Sequence, residues 1–340
     1  MENENQSENQ SMGDRFNQIL KKLEEEERKD IVIPLTDLRM EENGNLFSNE
    51  YGTLKVGVEA LGNLSKEFGM NRQHLMLLMR EGLNQNVANQ FNHFLTKSDR
   101  NNVKKLRVVD GKIKGIVSKK YSEFNDYDLF QVLGGVKDDF TNTKLESFYR
   151  DDKRSHARFL FNDFEENMGM SKEGGLEKDI VKVGFDVFNS EIGYSTLKVI
   201  PITFRLICEN GMMGWVQDKE KIFKTRHLGF EKNDMERKIR EGIKISLEES
   251  QKTVKQMKKS KEIIIDNPFE YIEKISKSEG IAKKHMEGIK EAFKVENQNN
   301  LYGVTNSITR MGRDLERGSK HDNESRIKLE GIAGKLLQAI

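Results

Sequence analysis

Residues 103–118 read VKKLRVVDGKIKGIVS. Two short β-branched runs, Val103–Val109 and Lys112–Ser118, flank Asp110-Gly111. Asp-Gly between such runs signals a two-residue hairpin, because a type I′ turn needs positive φ at both central positions. That loop pairs Val109 with Lys112, Val108 with Ile113 and Arg107 with Lys114. Alternation along the strands then sends Leu106, Val108, Ile113 and Val117 to a core. Lys105, Arg107, Lys112 and Lys114 fall on the other face. Like charges directly opposed across a sheet are destabilising. An anionic partner would relieve that repulsion. The competing reading is a solvated face whose lysines protect a sheet edge.

The period on either side of the hairpin is different. Upstream, residues 54–68, 71–81 and 84–96 carry apolar residues at helical spacing, with Asn71 as a cap for the second helix. Downstream, a helix is expected from Asp126 to Leu133, ended by Gly134-Gly135. Residues 158–164, 180–188 and 196–202 read as strands. FRLICENGMM (204–213) reads as a short helix begun by Pro201 and stopped at Asn210-Gly211. Beyond residue 230 the pattern is helical: 232–262 with Ile239, Ile243, Leu247, Val254 and Met257 as its stripe, then helices at about 268–277, 279–294, 302–317 and 323–338. Asn267-Pro268 is a start signal for the first of these four. The expected class is α+β, a small antiparallel sheet with a β-hairpin, flanked by an N-terminal helical segment and a helical C-terminal region. Residues 1–45 are expected as an acidic, largely disordered tail, in which 14–29 reads as a short helix with Phe16, Ile19, Leu20 and Leu23 on one face, either docked on a core or neighbouring subunit or frayed in solvent; 46–230 are expected as the α+β core domain and 231–340 as the helical region.

Charge is balanced overall at +1 but unevenly spread. Residues 1–50 hold 13 acidic and 6 basic residues; residues 97–120 hold 9 basic and 2 acidic. A basic block on a neutral chain marks a patch suited to an anionic partner. Lys119, Lys120 and Arg100 flank the hairpin, and Tyr121 follows. A second basic group, Arg150, Lys153, Arg154 and Arg158, lies beside Phe148, Tyr149 and His156; a third spans Lys219, Lys221, Lys224, Arg226 and His227. Basic residues interleaved with aromatics suit single-stranded nucleic acid, where stacking and phosphate contacts combine.

Catalytic motifs are lacking. There is no phosphate-binding loop, no HExxH, no cysteine–histidine metal spacing and no nucleophile elbow. One cysteine, Cys208, excludes an internal disulfide framework and reads as a small core hydrophobe. Arg205 is a further candidate, read as pointing outward beside Lys198 toward a ligand. No catalytic residue, metal ligand or cofactor is expected. With no long apolar run and no signal-like start, the expected setting is the cytoplasm of a bacterial host, away from membrane.

Four segments resemble a known family: LRVVDGKIKGIVSKKYSEFNDYDLF (106–130), NSEIGYSTLKVIPITFRLICENGMM (189–213), KTRHLG (224–229) and NLYGVTNSITRMGRDLE (300–316), the last followed by Leu329–Lys335. The chain resembles the phage/plasmid-like protein family, catalogued as a domain of unknown function. The resemblance implies a mobile-element protein encoded near replication and recombination functions. At the level of fold alone it also invites analogy with single-strand annealing proteins of the RecT, Red-beta and Erf type, which bind single strands as oligomers without a metal or nucleotide.

The leading expectation is a protein that binds or anneals single-stranded DNA, with a homo-oligomer as the expected assembly. Lys105, Arg107, Lys112, Lys114, Lys119, Lys120, Arg154, Arg158 and Arg205 are its candidate phosphate contacts, with Tyr121 or Tyr149 as stacking residues. The competing readings are an interaction protein that modulates a host or defence factor, and an unrecognised nuclease.

Overall fold

The computed structural model describes residues 15–139, 143–170, 178–206, 210–213, 223–225, 232–317 and 322–340. Cys208, Trp215, Lys219, Lys221, Arg226 and His227 lie outside the described residues.

The α+β expectation holds, with two six-stranded sheets in place of one small sheet. The hairpin is the centre of the first. Its strands β5 (Val103–Val109) and β6 (Lys112–Ser118) have the predicted bounds, and Asp110 and Gly111 have φ of +50° and +71°. The first sheet runs β1-β5-β6-β4-β3-β2, where β1 is Arg28–Pro34, β2 Arg39–Met40, β3 Leu46–Ser48 and β4 Gly52–Val56. Neighbours are antiparallel except β4 and β6.

The register departs from the predicted one after two pairs. Arg107 lies opposite Gly115, so Lys114 is an extra residue in a β-bulge. The bulge flips the alternation beyond it. Ile116, not Val117, joins Leu106, Val108 and Ile113 in the first core. Helices α2 (Val58–Glu67), α3 (Arg72–Arg80) and α4 (Asn84–Lys97) supply the rest of that core with Leu61, Leu64, Leu75, Val87, Phe91 and Leu95. The Asn71 side chain caps α3 by accepting from His74 N–H.

Part of the segment expected as a tail is ordered structure. Residues 15–25 form helix α1, which sends Phe16 and Leu23 into the second core. Residues 28–40 contribute β1 and β2, and β1 places Ile31 and Ile33 in the first core. The helix and its docking face are as the apolar spacing predicts; the strands at 28–40 are not foreseen, because the apolar residues of an edge strand are few and alternate with charge.

The second sheet runs β11-β10-β9-β8-β7, with β12 also on β10. Its strands are β7 (Thr143–Arg150), β8 (Ser155–Met170), β9 (Lys178–Asn189), β10 (Leu197–Arg205), β11 (Asn210–Met213) and β12 (Phe223–Thr225). Phe159, Phe161, Val183, Phe185, Val187 and Val199 face a large core. Helices α5 (Asp126–Asp139), α6 (Lys232–Ser260), α7 (Pro268–Ser278), α8 (Lys283–Glu296), α9 (Leu301–Arg317) and α10 (Asn323–Gln338) build the rest. α5 runs on through Gly134-Gly135, which does not stop it. Asn267 caps α7, with Pro268 in its first turn, as predicted.

Where a helix is predicted from Pro201, residues 201–205 are strand. Pro201 lies inside β10, opposite Phe185 of β9. On the other edge of β10, Leu197–Val199 pair with β12 and Ile202–Arg205 pair with β11. Pro201 falls between the two, where no ladder bond needs its missing N–H. Asn210-Gly211 opens β11, and Gly211 admits a close approach. A Cβ there would stand 2.3 Å from Arg158 Nη1.

Candidate functional site

The hairpin's basic face is turned inward. Lys105 and Arg107 are 6% and 5% exposed. Asp30 of β1 is the direct cross-strand partner of Arg107. Arg107 Nε lies 3.0 Å from Asp30 Oδ1, and Arg107 Nη1 donates to the Glu191 carbonyl at 3.1 Å. Lys105 Nζ lies 3.7 Å from the same Asp30 and donates to Glu123 at 3.0 Å and the Tyr121 carbonyl at 2.9 Å. Burial raises the Asp30 carboxyl above its ordinary value against the pull of Arg107 and Lys105. These two cations are structural, not phosphate contacts. Tyr121 is buried as well, its hydroxyl donating to the Ser190 carbonyl at 2.7 Å, so its ring is no platform for a base. Lys112, Lys119 and Lys120 are exposed; Lys114 is half-buried, 3.3 Å from Asp152.

Arg158 and Arg205 are corrected in the same way. Arg158 is 0% exposed and bidentate to Asp186 at 2.8 Å on each arm, with Glu330 of α10 at 2.6 and 3.1 Å. Burial opposes ionisation of Asp186, but Arg158 and His156 outweigh it and hold the carboxyl well below its ordinary range. Arg205, 2% exposed, meets Asp179 at 2.6 and 3.1 Å and Glu296 of α8 at 2.7 and 2.8 Å. The Tyr302 hydroxyl donates to Asp179 at 2.8 Å. Each arginine thus ties a strand pair to a C-terminal helix. β10 alternation puts Arg205 on the face opposite Lys198.

A different cationic group stays accessible. Lys198 on β10 and Lys224 on β12 are direct cross-strand partners. Lys198 is half-buried, and burial, then Lys224, then Arg154, lower its proton affinity. Arg154 lies 3.5 Å from the exposed Glu324, a weak surface contact. No acid is paired with Lys198 among the described residues.

Two stitched loops position this group. In the β7–β8 turn, Asp151 Oδ1 accepts from the N–H of Lys153 at 2.7 Å and of Arg154 at 2.8 Å. In the β9–β10 loop, Ser190 Oγ accepts from Tyr194 N–H at 3.0 Å and donates to the Lys153 carbonyl at 2.6 Å. Lys153 Nζ consequently lies 5.7 Å from the centre of the Tyr194 ring. Tyr194 is 42% exposed. Tyr149 lies nearby in β7 with its hydroxyl donating to Asp151 at 3.2 Å.

Beneath the loops sits a polar anchor. Asp126 accepts from Ser155 at 2.6 Å and Asn189 at 2.8 Å, and lies 2.8 Å from Arg150 Nε. Arg150 also pairs with Glu26 beyond α1 and with Glu191 at 3.4 Å. Burial, reinforced by Glu191, raises the Asp126 carboxyl to about 6 in spite of Arg150. A pocket of about 410 Å³ opens above, lined by Lys114, Asp126, Arg150, Lys153 and Glu191.

Of the sequence-derived residues, Arg154 alone joins the accessible group. The reading of the residues noted Lys198, Lys224 and Lys153 but did not select them, and it missed Tyr194. The signal for Tyr194 lay in NSEIGYS, where a tyrosine inside a turn has little to bury it.

The described residues hold no group of three or more His, Cys, Asp or Glu placed to bind a metal, and no helix long and apolar enough to cross a membrane. Fold and site together define an α+β protein with two sheets and a basic, aromatic-edged loop junction. Residues 114–325, over half the chain, match the family described as a domain of unknown function, DUF932, and the chain belongs to that family. No curated protein and no solved structure matches it.

Proposed function

We propose that this chain is a nucleic-acid-binding protein of a phage or plasmid that holds single-stranded DNA during replication or recombination. One observation carries the reading: Lys198, Lys224 and Arg154 converge on one face of the second sheet, and no acid is paired with Lys198 among the described residues. Opposed lysines on neighbouring strands weaken a sheet unless something anionic joins them. A phosphodiester supplies that anion and leaves the flanking Tyr194 and Lys153 within reach of the same strand. Lys112, Lys114, Lys119 and Lys120 extend the positive surface along the hairpin.

The test is binding of a labelled single-stranded oligonucleotide across a salt series. Each phosphate contact on a single strand contributes about 0.7 to the slope of log affinity against log salt. The double variant Lys198→Ala/Lys224→Ala is expected to bind more weakly, with a slope shallower by about 1.4. Lys105 and Arg107 belong to the fold and are not expected to set that slope. Absence of binding by the wild-type chain at about 50 mM salt sinks the reading.

A further inference from the structure

A second pocket, of about 650 Å³, lies on the other side of the β9–β10 loop from the first. The hairpin and α2 form one wall with Asn63, Lys104 and Ser118; Gly193, Tyr194 and Ser195 form the other. Its volume falls within the range of small-ligand sites. Its lining combines an aromatic ring, hydroxyls and an amide with Lys66 and the ion pair of Lys104 with Glu67 at 2.8 Å, which suits a flat, polar-edged heterocycle.

Tyr194 is fixed in place before any ligand arrives. Its N–H is held by Ser190, and its hydroxyl lies beside Glu59. Glu59 is itself clamped by both arms of Arg72, at 2.8 and 3.0 Å. Burial, then the neighbouring Glu59, pushes the Tyr194 hydroxyl up to about 12, so the ring stays neutral at physiological pH. An exposed, immobilised aromatic ring loses little freedom when a base stacks on it. Lys153 is over this ring, while the next residue, Arg154, is near enough to Lys198 to lower its proton affinity. An exposed aromatic ring and a cationic group are therefore linked through two adjacent residues, Lys153 and Arg154.

We propose that the pocket beside Tyr194 takes an unpaired nucleobase, stacked on the Tyr194 ring while the adjoining phosphate is held by Lys198, Lys224 and Arg154. This rests on the nucleic-acid reading above and adds the source of strand selectivity. A base inside a duplex is already stacked and paired, and entering the pocket would require extruding it. Tyr194, and not Tyr121 or Tyr149, is the specificity-determining aromatic residue.

The experiment is fluorescence anisotropy with three probes of equal length, about 16 nucleotides: a single strand, its duplex, and a strand of abasic residues. Tyr194→Ala should weaken binding of the ordinary single strand about 5- to 150-fold and leave the duplex and abasic probes within about twofold. Tyr194→Phe should retain the preference for the single strand, since the ring remains. The wild-type chain should bind the ordinary strand more tightly than the abasic one, a comparison independent of how any variant folds. Equal affinity of the wild-type chain for ordinary and abasic strands overturns the inference. So does a Tyr194→Ala variant that loses all three probes equally or none. If the oligonucleotides bind and respond to Lys198→Ala/Lys224→Ala but not to Tyr194→Ala, the base pocket alone falls. If the wild-type chain binds none of them, the parent reading falls with it.

Discussion

The two sheets each crowd cations onto one face, and they resolve the crowding differently. On the hairpin, Lys105 and Arg107 are buried against Asp30, which arrives from β1 more than seventy residues upstream. On the second sheet, Lys198 faces Lys224 across a strand pair with Arg154 near by. The first face is closed by a carboxylate and by the β9–β10 loop; on the second, no acid is paired with Lys198 among the described residues. Local basicity is the same signal in both places. The position of the counter-charge decides whether it means architecture or binding.

That contrast is breakable from its strongest side. Asp30→Ala would leave two buried cations short of their shared acid. Breaking a buried pair by removing one partner is strongly destabilising. A loss of about 3 kcal/mol is expected, allowing for the contacts Lys105 keeps to Glu123 and the Tyr121 carbonyl. Urea denaturation measures it, and an unchanged midpoint would show that the hairpin cations do not need their acid.

The polar anchor between the sheets sharpens the contrast through pH. Burial first, then Glu191, raises the Asp126 carboxyl to about 6 in the folded chain. A carboxyl with a raised folded pKa adds stability at pH below its unfolded value, about 4, and loses it as pH rises through about 6. The shift of about two pH units corresponds to a loss on the order of 3 kcal/mol between pH 4 and pH 7. Asp126→Asn removes this ionisation. The stability of the wild-type chain relative to the variant should therefore fall from pH 4 to pH 7; parallel pH profiles would contradict the assignment.

The smallest expected effect is on the open face, and its sign is reversed. Lys198→Met removes one of two opposed lysines and keeps an unbranched apolar stem. A gain of about 0.5 kcal/mol is expected, from relief of like-charge opposition. A loss in place of that gain would mean Lys198 has a stabilising partner, and the comparison between the two faces would fail.

Much of the secondary structure was legible. The Asp-Gly turn, the Asn71 and Asn267 caps and the stripe Ile239–Ile243–Val254–Met257 each rest on short-range rules, and each is present. The failures lie where a residue serves a distant partner. Pro201 reads locally as a helix start, but β11 and β12 share an edge of β10 and leave it a gap. Asn210-Gly211 reads locally as a helix stop, whereas in the fold Gly211 makes room for the Arg158 guanidinium. The bulge at Lys114 has no strong local signal, and it moved Ile116 into the place predicted for Val117.

The candidate site was less legible than the fold for the same reason. Arg107, Arg158 and Arg205 are as basic in the sequence as Arg154. Asp30, Asp186 with Glu330, and Asp179 with Glu296 bury the first three. By itself the sequence determined the α+β class, the hairpin, most helices, and the family, because turn chemistry, capping and periodicity act over a few residues. Tertiary structure alone decided which cations remain accessible. A charge becomes structural or available according to whether a carboxylate from elsewhere in the chain reaches it, and that pairing is set by strand register and helix docking.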